Sequence, residues 1–134
     1  MQDIVKNLAS VEEVSKLNSK APVFELGHIG INTDSKEEAE ESARMLCMLF
    51  NLSYNEKPIS YFSGTEFEVI NLRGRGAKGH IALRVESVPK AMEYLAAKGV
   101  TFIPETRKFD DKGNCTFIYL TGEVGGFALH LVQK

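Results

Sequence analysis

The three histidines of this chain, His28, His80 and His130, stand at related positions of a repeated pattern. Residues 28–35 align with residues 80–87 at an offset of 52 residues, so His28 and His80 open equivalent strands. His130 lies on a third strand-like segment near the C-terminus, where it alternates with leucines. Because imidazole is a common transition-metal ligand, three converging histidines predict a divalent metal site. Three unrelated surface or hydrogen-bonded histidines are the alternative.

Small residues accompany the histidines on the same face of these strands. Side chains alternate between faces along a strand, so Gly30 shares a face with His28, and Ala82 shares a face with His80. Ala128 is the small neighbour of His130. We expect these small side chains to leave room for a ligand.

Each half of the chain has the pattern of one strand, one helix and three further strands. Ser35 begins the first helix as an N-cap with Glu38 at capping-box spacing, and Ser87 begins the second. Strand-like segments follow at about residues 52–57, 59–63 and 66–72, and at about residues 101–108, 115–120 and 127–133. We therefore predict an α+β fold of two tandem βαβββ modules, at about residues 23–74 and 78–134, with the helices on the outer face of a mixed sheet.

The last strands of the two halves align over residues 68–72 and 127–131. This alignment places Asn71 opposite His130 in the repeat. Three strand glutamates are further candidate acid or base groups, none of which the pattern favours over a solvated residue: Glu68, Glu105 and Glu123.

Residues 1–22 lie outside the repeat. Their apolar residues fall at helical spacing and predict an amphipathic helix followed by a linker. The apolar face of this helix would pack against the domain itself, a second subunit or a neighbouring domain.

Length and composition indicate one globular domain. The chain has 134 residues, of which 16 are basic and 18 acidic, so its net charge of −2 lacks the basic footprint of a nucleic-acid binder. No apolar run is long enough to span a bilayer, and the N-terminus lacks the features of a signal peptide. The two cysteines, Cys47 and Cys115, do not make a disulfide framework. We expect a cytoplasmic protein with no membrane partner.

A glycine-rich segment at residues 74–79 matches the dinucleotide-binding spacing, but a strand rather than a helix follows it. It is better interpreted as the connection between the modules. Arg73 and Arg75 beside it are candidates to bind the carboxylate or phosphate of an anionic small molecule. Four aromatic residues on middle strands are candidates to line the site, although half of them must face the helices as core: Tyr61, Phe62, Phe117 and Tyr119.

The repeat and its motifs resemble the vicinal oxygen chelate superfamily, which includes glyoxalase I, the fosfomycin and bleomycin resistance proteins and the extradiol dioxygenases. The resemblance covers about residues 23–133. Residues 79–83 resemble the strand that opens the second glyoxalase module, and residues 126–133 resemble the closing G-x-x-x-E-L-V-Q motif. The resemblance implies a cupped sheet that holds a divalent metal (Zn, Ni, Fe or Mn) through four positions, which are here His28, Asn71, His80 and His130.

Two of these positions depart from the family pattern. Glyoxalase I typically has glutamates where Asn71 and His130 stand, and asparagine cannot act as a general base. The resemblance therefore implies a lyase- or isomerase-type metalloenzyme for a small keto or vicinal-oxygen substrate, without lactoylglutathione lyase activity. The missing glutamates leave open a non-catalytic small-molecule-binding or accessory module.

A closer resemblance is to a domain attached to some bacterial 2-keto-3-deoxy-6-phosphogluconate / 4-hydroxy-2-oxoglutarate aldolases. It rests on residues 22–33 and 125–134. It implies an aldolase partner and a place in keto-acid metabolism. The superfamily resemblance also implies a homodimer, with the metal site either shared between two chains or formed within one.

Overall fold

The computed structural model describes residues 21–134, so the helix predicted within residues 1–22 lies outside the described residues. The elements follow one another as β1 (Glu25–Asn32), α1 (Lys36–Phe50), β2 (Tyr54–Glu56), β3 (Ser60–Ser63), β4 (Phe67–Ile70), β5 (Gly79–Val85), α2 (Val88–Ala96), β6 (Phe102–Phe109), β7 (Cys115–Val124) and β8 (Phe127–Gln133). The order βαβββ occurs twice, which confirms the predicted α+β fold of two tandem modules.

The two modules form one eight-stranded mixed sheet with the strand order β2-β3-β4-β1-β5-β8-β7-β6. The first strands of the modules, β1 and β5, pair antiparallel at the centre of the sheet. Each of them also pairs in parallel with the last strand of its own module, β4 or β8. The second module therefore repeats the strand order of the first in reverse, and the strands that carry His28 and His80 are direct neighbours.

Both helices begin at their predicted N-cap serines. Ser35 Oγ accepts a hydrogen bond from the Glu38 N–H at 3.1 Å, and the Glu38 carboxylate accepts one from the Asp34 N–H at 3.2 Å. Ser87 Oγ accepts a hydrogen bond from the Lys90 N–H at 3.3 Å. These bonds satisfy backbone donors that have no partner within the helix. In the part of the chain that the structure describes, neither helix has the length and apolarity needed to cross a membrane.

The helices pack against the same face of the sheet. Between α1 and the sheet lies a buried cluster of Ala39, Ala43, Tyr61 and Val69. Between α2 and the sheet lies a larger cluster that includes Val88, Ala91, Ile118, Leu120 and Leu131. Because strand side chains alternate, the neighbours of these core residues point to the opposite face. That opposite face carries His28, His80 and His130, and we call it the histidine face.

Candidate metal centre

The central strand pair brings His28 and His80 together. Gly30 lies opposite His80 in the β1–β5 ladder, and His28 lies opposite Ala82. The imidazole ring of His80 lies directly over Gly30, since a Cβ atom added at Gly30 would overlap three atoms of that ring. The space that the sequence assigns to a ligand at Gly30 is therefore filled by His80. Nε2 of His80 lies 3.1 Å from Nε2 of His28.

His130 joins this pair from the next strand. The β5–β8 ladder pairs it with Ala82, the residue that also lies opposite His28. One ring nitrogen from each of the three histidines lies within 4.8 Å of the other two. His80 and His130 are only 5% and 3% exposed. All three side chains belong to one chain, so the cluster forms without a second subunit.

The first module contributes a carboxylate at the position equivalent to His130. In the β1–β4 ladder Gly30 pairs with Glu68, as Ala82 pairs with His130 in the second module. The observed register thus differs by three residues from the alignment that placed Asn71 opposite His130. Strand β4 ends at Ile70, and Asn71 lies beyond it beside a separate cavity. The alternation of Phe67 and Val69 around Glu68 was the available sequence signal.

Glu68 contacts both central histidines. Its Oε1 atom lies 3.1 Å from Nε2 of His80 and 3.4 Å from Nε2 of His28. Its Oε2 atom accepts a hydrogen bond from Ser60 Oγ at 2.9 Å. Ser60 is 1% exposed, so the donor of this bond is shielded from water and helps to orient the carboxylate.

The protonation states of Glu68 and His130 suit metal binding. Burial acts to raise the pKa of Glu68, but hydrogen bonds from His28, His80 and Ser60 outweigh it and hold that pKa well below its usual range. Burial, together with the neighbouring His80, lowers the pKa of His130 to about 3. Glu68 is therefore ionised and His130 neutral at physiological pH, which are the forms that ligate a cation.

The spacing of three of the donor atoms, those of His28, His80 and Glu68, also fits a metal ion. Bonds of about 2.0–2.1 Å to a tetrahedral zinc ion place two ligand atoms about 3.3 Å apart. The separations of 3.1, 3.1 and 3.4 Å among His28, His80 and Glu68 are close to this value. Three imidazoles and one carboxylate form a donor set suited to Zn, Fe, Ni or Mn.

Aromatic side chains enclose the cluster on the histidine face. The ring centroid of His130 lies 4.3 Å from that of Phe117 and 5.0 Å from that of Tyr119. On the other side, the ring of Phe62 lies 5.7 Å from that of His28. Burial and the charge of Glu68 raise the pKa of Tyr119 to about 12, so its hydroxyl group stays protonated. These rings restrict water around the cluster.

The remaining site residues suggested by the sequence divide into two groups. Tyr119 lies in the site, and the guanidinium of Arg75 lies 5.4 Å above its ring. Tyr61 instead belongs to the core under α1, because its neighbour Phe62 occupies the histidine face. Arg73 is exposed and forms an ion pair with Asp34, with 2.7 Å between Nη2 and Oδ1.

Comparison with known proteins identifies the fold. No protein-family model and no curated protein matches the chain. Among solved structures, methylmalonyl-CoA epimerase from Mycobacterium tuberculosis is 15% identical with a TM-score of 0.61, over 85% of this chain and 90% of that chain. A hypothetical protein from Bacillus halodurans C-125 is 19% identical with a TM-score of 0.55, over 83% and 94%. A variant of Streptomyces coelicolor methylmalonyl-CoA epimerase, in complex with 2-nitronate-propionyl-CoA, is 14% identical with a TM-score of 0.55, over 82% and 94%. The chain therefore has the paired-module fold of the vicinal oxygen chelate proteins.

Proposed function

We propose that this protein is a metal-dependent enzyme of the isomerase or lyase type that acts on a small keto or vicinal-oxygen substrate. The observation that carries the proposal is the convergence of three histidine ring nitrogens within 4.8 Å on one face of the sheet. His28, His80 and His130 would hold the divalent metal, with Glu68 as the fourth ligand.

A bound divalent metal would act as a Lewis acid that polarises a substrate carbonyl and makes the adjacent C–H group more acidic. The protein must then provide a group to accept the proton. Glu68 is the carboxylate that the described part of the chain brings against the histidines, and it is ionised. We assign the proton to this carboxylate, which Ser60 orients through its hydrogen bond to Oε2.

Tyr119 would stabilise the negative charge that develops on the substrate oxygen. Its pKa of about 12 keeps the hydroxyl group protonated, so it can donate a hydrogen bond to an oxyanion. Its ring contacts His130, which places the hydroxyl-bearing side chain beside the cluster. Phe62 and Phe117 limit the access of water and so strengthen these polar interactions.

The isomerase interpretation is supported by the reaction named for two solved structures with this fold. Two of those compared are methylmalonyl-CoA epimerases. An epimerase removes and returns a proton at one carbon, which requires an acidified C–H group and a group that moves the proton. Glu68 is the residue suited to that proton transfer here.

A second candidate is a small-molecule-binding module without turnover. The observation that favours it is the lowered pKa of Glu68, because a carboxylate that is difficult to protonate is a weak general base. Under this alternative the same four residues would hold a metal that binds an oxygen-donor ligand. A link to keto-acid aldolases remains a prediction from the sequence.

Exchange of substrate hydrogen with solvent distinguishes the two candidates. We would incubate metal-loaded protein in D2O with 2-oxoaldehydes, 2-keto acids, catechols and methylmalonyl-CoA, and follow deuterium incorporation and product formation by NMR. The enzyme proposal expects exchange at the carbon next to a carbonyl, abolished in Glu68→Gln. Tight metal binding without exchange or product formation across the panel supports the binding module.

A further inference from the structure

A cavity on the histidine face extends away from the proposed metal centre. Its volume is about 390 Å³, and its lining includes His28, Asn55, Lys57, Phe62, Thr65 and Arg84. We call it the His28 cavity. This volume is typical of pockets that bind small molecules, which span about 300–1,000 Å³. Because His28 lines both the cavity and the histidine cluster, a molecule in the cavity can reach the metal centre.

The strand register explains why Arg84 faces this cavity. Arg84 follows Ala82 by two residues on β5, so both side chains point to the same face of the sheet. Ala82 lies opposite His28, and Arg84 lies one same-face position further along, opposite Glu25. The carboxylate of Glu25 is held by Lys134 at 2.7 Å. Lys134, and to a smaller extent the charge of Arg84, lowers the pKa of Glu25. Arg84 forms no ion pair with that carboxylate, and its side chain lines the cavity.

Lys57 brings a second positive charge from the other module. Asn55 lies opposite Phe62 in the β2–β3 ladder, and Lys57 follows Asn55 by two residues. No aspartate or glutamate lines the cavity. Among residues 21–134, no hydrogen bond or ion pair engages the side chain of Arg84 or of Lys57. The Glu66 carboxylate lies behind the cavity wall, where it accepts a hydrogen bond from the Thr65 hydroxyl. Two cations that form no ion pair, at a cavity whose lining contains no carboxylate, form a site suited to an anion.

We propose that the His28 cavity is an anion subsite, in which Arg84 and Lys57 bind a carboxylate or phosphate group of the substrate whose oxygen atoms reach the metal centre. This inference rests on the proposed function and narrows its substrate class to small acids with a second anionic group. Asn55 supplies a neutral hydrogen-bonding group, and Phe62 packs against the carbon skeleton between the two ends.

Isothermal titration calorimetry with paired probes tests the subsite. The probes are 2-oxoglutarate, which carries a second carboxylate, 2-oxopentanoate, which has the same chain length without it, and 3-phosphonopyruvate, which carries a phosphonate. Each is titrated into zinc-loaded and into metal-free protein. The variants are Arg84→Gln and Lys57→Gln. Arg107→Gln and Lys112→Gln are the controls, because they remove the same charges from exposed residues outside the cavity.

We expect the wild-type protein to bind 2-oxoglutarate about tenfold more tightly than 2-oxopentanoate, as a charge-assisted hydrogen bond provides. Arg84→Gln and Lys57→Gln should remove most of this preference and leave the affinity for 2-oxopentanoate unchanged, while both controls keep it. Tighter binding of 3-phosphonopyruvate than of 2-oxoglutarate assigns the subsite to phosphate, and the reverse order assigns it to carboxylate.

Equal binding of 2-oxoglutarate and 2-oxopentanoate by the wild-type protein overturns the subsite, as does a preference that survives both substitutions. The metal-free titrations separate this result from the fate of the proposed function. If the protein takes up no metal but shows the Arg84-dependent preference, the subsite is supported and the metalloenzyme proposal is overturned. If the protein binds zinc but binds 2-oxoglutarate and 2-oxopentanoate equally, the metal centre is supported and the subsite is overturned.

Discussion

The Nε2 atoms of His28 and His80 lie 3.1 Å apart, and both approach Oε1 of Glu68 within 3.4 Å. Three electron-rich atoms at these distances require a proton or a cation among them. The arrangement follows from the antiparallel pairing of β1 and β5, which places the first strands of the two modules side by side. The same pairing brings the ring of His80 over Gly30, where no side chain competes for the space.

Replacing Glu68 with glutamine should weaken metal binding. Glutamine keeps the size of the side chain and an oxygen that can accept the hydrogen bond from Ser60, but it removes the negative charge beside the histidines. We expect the affinity for zinc to fall at least about tenfold. Competition with a chromophoric chelator measures this change.

Asn71→Ala is the matched control for Glu68→Gln, since Asn71 was the alternative fourth ligand and lies beyond β4. We expect zinc affinity in Asn71→Ala to equal that of the wild type. A loss of affinity in Asn71→Ala with none in Glu68→Gln would contradict the role of Glu68.

Two buried serines on β3 allow the support of Glu68 to be separated from general stability. Ser60 Oγ donates to Glu68 on the histidine face, whereas Ser63 Oγ donates to the carbonyl of Ala43 in α1 at 2.6 Å. Each serine-to-alanine change should lower the free energy of unfolding by about 1–3 kcal/mol. Only Ser60→Ala should also weaken zinc binding, by about tenfold. Urea titration and chelator competition on both variants provide the comparison, and equal zinc affinities would show that Ser60 has no effect on the carboxylate.

Adding one methyl group at Gly30 should displace the ring of His80. The new Cβ would overlap that ring, which is buried and has little room to move. We expect Gly30→Ala to lose zinc binding and to lower the free energy of unfolding by about 1–3 kcal/mol. In Gly74→Ala the new Cβ would meet the flexible end of Ile70 at 3.3 Å, so zinc binding should persist. Wild-type zinc affinity in a folded Gly30→Ala would mean that His80 does not need its observed position.

The two arginines that follow β4 should differ in their effect on ligand binding. Arg75 lies over the ring of Tyr119 at the site, whereas Arg73 is bound to Asp34. We expect Arg75→Gln to weaken the binding of an anionic ligand such as 2-oxoglutarate several-fold. Arg73→Gln should leave it unchanged. Calorimetry measures the affinity of both variants for 2-oxoglutarate. Unchanged affinity in Arg75→Gln would show that Arg75 does not contribute to ligand binding.

The sequence was sufficient for the order of the elements because the internal repeat predicts two βαβββ modules. Two segments that begin with histidine and lead to an N-cap serine predict equivalent strands, and the alternation along them predicts which side chains share a face. The predicted positions of His28 and His80 follow from that periodicity alone. The contact between them depends on the antiparallel pairing of β1 with β5, which the repeat does not specify.

The sequence named Glu68 only as one of three candidate acid or base groups; its position opposite the histidines, like the His28 cavity, required the structure. The apolar residues at 69, 70 and 72 align with the closing strand in more than one register, and only the β1–β4 ladder selects Glu68 as the counterpart of His130. Arg84 lies on β5 and Lys57 directly after β2, and the two residues show no shared spacing in the sequence. Their common cavity arises from the way the two modules meet.

Elemental analysis of metal-loaded protein tests the central claim most directly. Wild-type protein prepared without chelator would be exposed to zinc, nickel, iron(II) or manganese, desalted and compared with His28→Ala, His80→Ala and His130→Ala, each checked for folding by circular dichroism. We expect about one ion per wild-type chain and a loss of that ion in each folded variant. A folded wild type that retains none of the four metals would contradict the metal centre.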